Sequence, residues 1–376
     1  MLKRLLGLVG ASLGLVFWCE YLVYISVIYQ CSWPLPVGDY NDSEDGIRAM
    51  VLADTHLLGP YRGHWFDKLR REWQMHRAFQ TAVGIFQPEV VFFLGDLFDE
   101  GMWVSDEAFQ HYVDRFKHLF KVPDAIQVIV VPGNHDMGFH YALAPRLYNR
   151  FNQAFNSSSM QIINLKEVTF ILVNSMAMHD DGCYLCHSAQ VRLKNIADKL
   201  DCAQNPSQSK CSNKRISSNT EYSKPIILQH FPMFRESDMV CTDPDSAPQV
   251  EKEKPFRPKW DCLSKDSTDT LLSALKPRLI LSGHTHHACL VHHQVEKNTE
   301  VIPEYSVPSF SWRNRNEPSF FLGIFTRRDY TLSKCFMPRE STVIFTYISG
   351  ILALVIYSLA TICIPTLRQR LRRKQE

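Results

Sequence analysis

The chain predicts an α/β fold, and two observations carry that prediction. Residues 49–53, 90–94, 128–132, 226–228 and 279–281 are short apolar runs, rich in β-branched and aromatic side chains and mostly closed by a glycine, the pattern of buried strands. Residues 65–85 have helical spacing with many charges, which fits a crossover helix between the first two runs.

Each run delivers a polar motif. Asp54-Thr55-His56 follows the first, Gly95-Asp96-Leu97-Phe98-Asp99 the second and Gly133-Asn134-His135-Asp136 the third. His230 follows the fourth and Gly283-His284-Thr285-His286 the fifth. The C-terminal ends of strands are where α/β sheets gather their active sites, and glycine lets the backbone turn sharply there. The side chains are carboxylates, imidazoles and one carboxamide, a ligand set for two divalent metals close enough to share one carboxylate. One such motif arises easily by chance, whereas five in order, each behind a strand, do not.

The five motifs resemble the signature of the calcineurin-like metallophosphoesterase superfamily and depart from it at none of those positions, over residues from about 48 to 311. The resemblance implies a sandwich of two sheets flanked by helices. It implies a first metal on Asp54, His56 and His286, a second on Asn134, His230 and His284, and Asp96 as the bridging carboxylate. It also implies that His135 is the general acid, oriented by Asp99. The chemistry agrees with these roles: a carboxylate has two oxygens to divide between two metals, and Asn134 supplies a neutral oxygen. His135 is then free to protonate a leaving alkoxide. Asp136 is expected to order its loop.

Composition and the chain ends bear on compartment. With 376 residues and 45% hydrophobic content the chain can bury one large core, and a formal charge of +2 argues against a nucleic-acid surface. Residues 5–28 are apolar except for Glu20 and follow Lys3 and Arg4; residues 343–364 carry no charge and precede Arg368, Arg370, Arg372, Arg373 and Lys374. Each is near the ~20 residues a spanning helix needs. The positive flanks predict residues 1–4 and the basic tail 365–376 in the cytosol and residues 29–342 as a lumenal domain. The first apolar stretch exceeds the 7–15 residues of a signal-peptide core and no clear cleavage site follows it. Glu20 requires a partner, either the second helix or a lipid headgroup.

Nine cysteines lie between the apolar segments, as suits pairing in an oxidising lumen, and an odd count leaves at least one unpaired within the chain. Cys183-x-x-Cys186 lacks the strand-to-helix context of a redox motif. Asn41 and Asn156 sit in glycosylation sequences usable only in a lumen. Residues 202–223 and 236–259 read as insertions over the sheet.

Residues 63–73, Gly138-Phe139-His140-Tyr141, 307–316 and 329–335 are similar to the membrane-bound phosphodiesterases of this superfamily that remodel glycosylphosphatidylinositol (GPI) anchors. That similarity implies removal of the side-branch ethanolamine phosphate from the second mannose of protein-linked anchors, with manganese as the metal. GPI-anchored proteins are then the partners, and the setting is endoplasmic reticulum exit sites, the intermediate compartment and the cis-Golgi. Coat-mediated retrieval would act through the basic tail, although arginines stand where a dilysine signal has lysine. His140, Trp312, Arg313 and Arg315 are the expected substrate contacts, because arginine forks grip phosphate and tryptophan offers a face to a sugar or an ammonium. A lumenal phosphatase or pyrophosphatase with another substrate would keep the same site; a non-enzymatic cargo receptor would be expected to lose a ligand, and none is lost.

Overall fold

All five apolar runs form strands in the structure, a computed structural model that describes residues 2–35, 46–179, 183–205, 211, 222–294 and 301–372. In chain order the strands are β1 (Ile47–Leu52), β2 (Val90–Leu94), β3 (Gln127–Val131), β4 (Met160–Leu165), β5 (Val168–Val173), β6 (Ile226–Gln229), β7 (Leu279–Ser282), β8 (Cys289–Gln294), β9 (Val301–Ser306), β10 (Ser319–Phe325) and β11 (Tyr330–Phe336). One sheet is ordered β11-β10-β1-β2-β3 and the other β4-β5-β6-β7-β9-β8. β1, β2 and β3 are mutually parallel, as are β5, β6 and β7, so five strand ends that carry the motifs open in two parallel sets.

The strands read as continuously apolar because both of their faces are buried. Val90, Phe92 and Leu94 of β2 enter the layer between the sheets with Val51, Phe170 and Leu228. Their neighbours Val91 and Phe93 point the other way, into the helices, against Phe79 and Phe116. The crossover helix Trp65–Phe86 joins β1 to β2, and the His64 ring caps it by accepting the Phe66 N–H at 3.3 Å. The 236–259 segment lies over the second sheet: the Phe256 N–H donates to the Glu236 carbonyl at 2.7 Å, and Cys241 is bonded to Cys289 of β8. Of the other expected insertion, only 202–205, 211, 222 and 223 are among the described residues.

Both chain ends are helical. Leu2–Phe17 continues through a π turn, Trp18–Leu22, into Val23–Ile28, and the C-terminal helix runs Glu340–Arg372. Leu2–Ile28 and Glu340–Thr361 are each long and apolar enough to cross a bilayer. They touch each other: the space where a Gly350 Cβ would stand is filled by the Leu15 side chain, and Arg4 Nη1 donates to the Thr361 carbonyl at 3.0 Å. The partner of Glu20 is the second helix, whose Tyr347 O–H donates to the carboxylate at 2.5 Å. Residues 373–376 of the basic tail, and Asn41, lie outside the described residues. Asn156 is exposed at the C-terminus of the helix Pro145–Phe155.

Four disulfides join Cys31 to Cys335, Cys183 to Cys186, Cys202 to Cys211 and Cys241 to Cys289. Cys19, Cys262 and Cys363 are free, so the odd cysteine between the apolar segments is the buried Cys262. Denaturing the chain without reduction and alkylating it should therefore add three labels among the eleven cysteines, at those positions. Labels on Cys31 or Cys335 in the intact-mass and peptide maps would contradict this pairing.

Candidate metal centre

The motif side chains converge at the strand ends because the backbone there adopts a conformation that L-residues avoid. Asp54, His56, Asp96, His284 and His286 have φ of 56°, 45°, 50°, 72° and 62°. A left-handed non-glycine residue costs about 1–2 kcal/mol, and such strain gathers at functional sites. Two glycines make room for the result. A Cβ on Gly133 would stand 2.1 Å from Asp96 Oδ1, and one on Gly95, itself at φ 87°, would stand 2.6 Å from His230 Nδ1.

Two clusters of donor atoms form there, and Asp96 lies between them. In the first, His56 Nε2 and His286 Nε2 are 3.2 Å apart, with Asp54 Oδ1 at 3.9 and 3.7 Å from them. In the second, His230 Nε2 lies 3.1 Å from Asn134 Oδ1 and 3.2 Å from His284 Nδ1. The Asp96 Oδ1 atom accepts the His135 backbone N–H at 2.8 Å, while its Oδ2 lies 3.5 Å from His56 Nε2 and 3.3 Å from His230 Nε2.

The donor set fits cations. His230 Nδ1 lies 2.7 Å from the Leu94 carbonyl and His284 Nε2 lies 2.8 Å from the Trp260 carbonyl. A carbonyl only accepts, so each ring carries its proton on that side and turns a lone pair inward. Lone pairs from two imidazoles, one carboxamide and one carboxylate then face one another, an arrangement that a positive charge relieves. The titration pattern reflects it. Burial pulls the His230 imidazole down, but Asp96, its hydrogen bond and Asp54 outweigh burial and leave it raised to about 9. Burial, then the His230 charge, lowers His284 to about 3. Burial would raise the Asp96 carboxyl; His230 and His135 outweigh it and hold the group well below the usual range. For Asp54 burial prevails and lifts the carboxyl well above that range.

Asp99 and Arg313 stand behind the first cluster. The His135 ring Nδ1 lies 2.8 Å from the Asp99 backbone carbonyl, whereas the Asp99 carboxylate is 3.8 Å away. That carboxylate faces His56 Nδ1 at 3.3 Å instead, and accepts two bonds from Arg313, from Nε at 3.3 Å and from Nη2 at 3.0 Å. Asp99 thus orients His135 through its main chain and His56 through its side chain. Asp136 is wholly buried and accepts the Gly133 and Phe98 N–H groups at 2.8 and 3.0 Å, which orders the loop. Burial, then the Asp96 charge, pushes its carboxyl up to about 8.

The residues expected to touch substrate sit differently. Trp312 is 4% exposed and its indole N–H donates to the Pro338 carbonyl at 2.9 Å, so no face is open to a sugar. The Arg313 fork is occupied by Asp99. Arg315 donates to the carbonyls of His286 at 3.0 Å and Asp245 at 2.8 Å. The His140 ring lies 3.1 Å from the Met176 carbonyl and packs on His179. The 307–316 stretch is instead a brace for the strained loops: the Ser309 hydroxyl donates to the Asp54 carbonyl at 2.7 Å, and its N–H donates to the His286 carbonyl at 3.1 Å. What sequence reasoning missed is an aromatic rim. Tyr141, 67% exposed, and Trp260, 40% exposed, have ring centroids 5.1 Å apart over Phe139, and the Trp260 carbonyl is the one that holds His284. Beside His284 and Thr285 a cleft of about 310 Å³ is walled by Glu251, Lys254, Arg257 and Asp261. The signals in the sequence were the Gly138-Phe139-His140-Tyr141 stretch, from which His140 was chosen in place of its aromatic neighbours, and the place of Trp260 just past the second insertion.

Arg313 therefore acts as a positioning residue. Arg313→Ala should weaken metal binding or turnover by roughly 10- to 100-fold, as loss of an outer partner of a ligating histidine does. The loss should be equal on a small aryl phosphodiester and on a large substrate. A rise in KM confined to the large substrate would show that the guanidinium contacts substrate instead.

Known proteins similar to this chain identify its family. The sequence model of the calcineurin-like phosphoesterase family matches residues 47–288. A protein of Xenopus laevis named Metallophosphoesterase 1 is 48% identical over 93% of this chain and 87% of its own length. Its namesake in Gallus gallus is 47% identical, over 95% and 89%. Among solved structures, a purple acid phosphatase from yellow lupin seeds aligns with 80% of this chain and 52% of its own at 12% identity, with a TM-score of 0.49. The seven clustered side chains, the two-sheet frame and a match over most of the chain place this protein in the calcineurin-like phosphoesterase family, as a hydrolase of the kind that works with a dinuclear divalent metal centre.

Proposed function

We propose that this enzyme is a lumenal phosphodiesterase that removes the side-branch ethanolamine phosphate from the second mannose of GPI anchors, with two manganese ions as cofactor, and so promotes export of GPI-anchored proteins from the endoplasmic reticulum. The observation that carries the hydrolytic part is the Asp96 carboxylate, one oxygen of which lies within 3.5 Å of an imidazole nitrogen from each cluster. Asp54, His56 and His286 would hold one cation, and Asn134, His230 and His284 the other. When bound, such a pair supplies Lewis acidity to a phosphoryl group and lowers the pKa of water toward neutrality.

The remaining steps belong to side chains. His135 is 26% exposed, and its Nδ1–H donates to the Asp99 carbonyl, so Nε2 is the atom that carries a proton to the departing sugar oxygen. Arg313 fixes Asp99, and Asp99 fixes His56. The Tyr141–Trp260 rim gives a mannose ring a face to stack on or the ethanolamine ammonium a π surface. The terminal helices, read as membrane spans with the domain in the lumen, hold the site at the leaflet that carries the anchors. The basic tail then serves as the cytosolic retrieval segment within a route between the endoplasmic reticulum and the cis-Golgi.

Cells that lack the protein should display anchors that keep ethanolamine phosphate on the second mannose, by mass spectrometry of released glycans. The wild-type chain should reverse this and Asp96→Asn should not, with less metal bound to the purified variant. Unchanged anchors in those cells would end the anchor assignment while leaving the metal centre intact. Selectivity is tested at the rim. The His284 contact is made by the Trp260 backbone, so Trp260→Ala and Tyr141→Ala should spare metal content and aryl phosphodiester hydrolysis. They should raise KM for an anchor glycan roughly tenfold, from the ~1 kcal/mol or more of a lost cation–π or stacking contact. Equal effects on both substrates would remove the rim from recognition.

A further inference from the structure

Of the eight bonded cysteines only Cys31 and Cys183 are partly exposed, and Cys183 joins Cys186 in a closed Cys-x-x-Cys ring. Read from sequence, that pair lacks a strand-to-helix frame, but the fold supplies one. β5 ends at Val173, a 3-10 turn follows at Ser175–Ala177, and Cys183 is the N-cap of the helix Tyr184–Gln204. The Cys183 Sγ accepts the Cys186 N–H at 3.0 Å. A helix N-terminus favours negative charge, so a sulfur placed there is stabilised as a thiolate. Cys186, one turn on, is wholly buried.

A histidine stands at the buried sulfur. His140 Nδ1 lies 4.0 Å from Cys186 Sγ and 3.1 Å from the Met176 carbonyl, and the ring packs on His179 with centroids 4.4 Å apart. The carbonyl only accepts, so Nδ1 carries a proton and holds it beside Cys186. Among the described residues no other bonded cysteine has an imidazole within reach of its sulfur. An accessible sulfur, a helix N-terminus to take its charge and a proton donor at the sulfur behind it are the parts that thiol–disulfide exchange uses.

We infer that Cys183–Cys186 is a thiol–disulfide exchange site that takes a dithiol as its substrate, with Cys183 as the sulfur attacked and His140 as the proton donor to Cys186. One thiolate of the dithiol attacks Cys183 Sγ. A mixed disulfide forms as the Cys183–Cys186 bond breaks, and the electron pair leaves on Cys186 Sγ, which takes the His140 Nδ1 proton. The second thiolate then attacks the dithiol's own sulfur in the mixed disulfide and releases Cys183 as a thiolate at the helix N-terminus. The dithiol ends as a disulfide, oxidised by two electrons, and its two protons end on Cys183 and Cys186 by way of His140 and solvent. Nothing in this chemistry depends on the metal centre or on the identity of the phosphodiester. His140 stands between Phe139 and Tyr141, so the exchange takes place on the loop that carries the aromatic rim.

The test uses the full chain purified in detergent, held folded in stepped concentrations of dithiothreitol, then alkylated and peptide-mapped. Cys183 and Cys186 should take label together at roughly a tenth or less of the dithiothreitol that opens any other pair. His140→Gln can still donate to the Met176 carbonyl but has no proton to give up. It should slow the opening roughly tenfold, because a leaving sulfur that stays unprotonated departs less readily. Thermal unfolding confirms that the variant is folded, and His140→Asn replaces it if it is not. Reduced thioredoxin in place of dithiothreitol identifies the carrier: opening by both assigns a protein dithiol, and opening by dithiothreitol alone a small one. A pair that opens only with or after the other three, an unchanged opening rate in the folded histidine variant, or zinc held by Cys183 and Cys186 in the protein as purified would each overturn the proposal.

Discussion

The placement of one carboxylate governs the rest of this molecule. Asp96 must reach two clusters at once, and its two oxygens divide the work. The His135 N–H holds Oδ1, which leaves Oδ2 between His56 and His230. The position is possible only because Gly133 lacks a side chain where Asp96 lies. It also draws charge around it. The raised His230 and the depressed Asp96 carboxyl are two views of the same attraction, in a site buried enough that water cannot screen it.

Holding that carboxylate among six other ligand-type side chains forces five residues into left-handed backbone, and the strain has to be countered from outside the five motifs. The counterweight is the 307–316 stretch. Ser309 and Arg315 bind the carbonyls of Asp54 and His286, at the two ends of the first cluster, while Arg313 grips Asp99 behind His56. A segment that looks like a recognition loop by composition is a strap across the back of the site. Tyr141 and Trp260, the pair proposed for recognition, are exposed and stacked on each other outside that strap.

Much of this was legible in the sequence, and the limits of legibility have physical causes. The strands and the order of the ligands could be read because the apolar runs are buried on both faces and the polar residues follow them directly. The need of Glu20 for a partner was readable from the cost of a carboxylate in hydrocarbon, although Tyr347 as that partner was not. Trp312, Arg313 and Arg315 were misread because a Trp-Arg-Asn-Arg-Asn string has the same letters whether its arginines meet a phosphate or the protein's own carboxylate and carbonyl oxygens. The carboxylate that claims Arg313 lies 214 positions away. Left-handed φ at aspartate and histidine leaves no glycine to announce it. The link from Cys31 to Cys335 spans 304 residues and has no local signature.

That last link shapes how the enzyme meets its surroundings. Cys31 lies just beyond one apolar helix and Cys335 just before the other, so the bond clamps the two legs together at the foot of the domain. A globule on a single stalk sweeps a hemisphere and samples many heights. With both helices as membrane spans, as proposed above, two legs pinned at the ankle would keep the domain at a constant elevation and heading above the bilayer. On the proposed anchor substrate, the cleft would then act as a gauge, admitting a phosphodiester carried at one height and passing over the same chemical group presented nearer to or farther from the membrane.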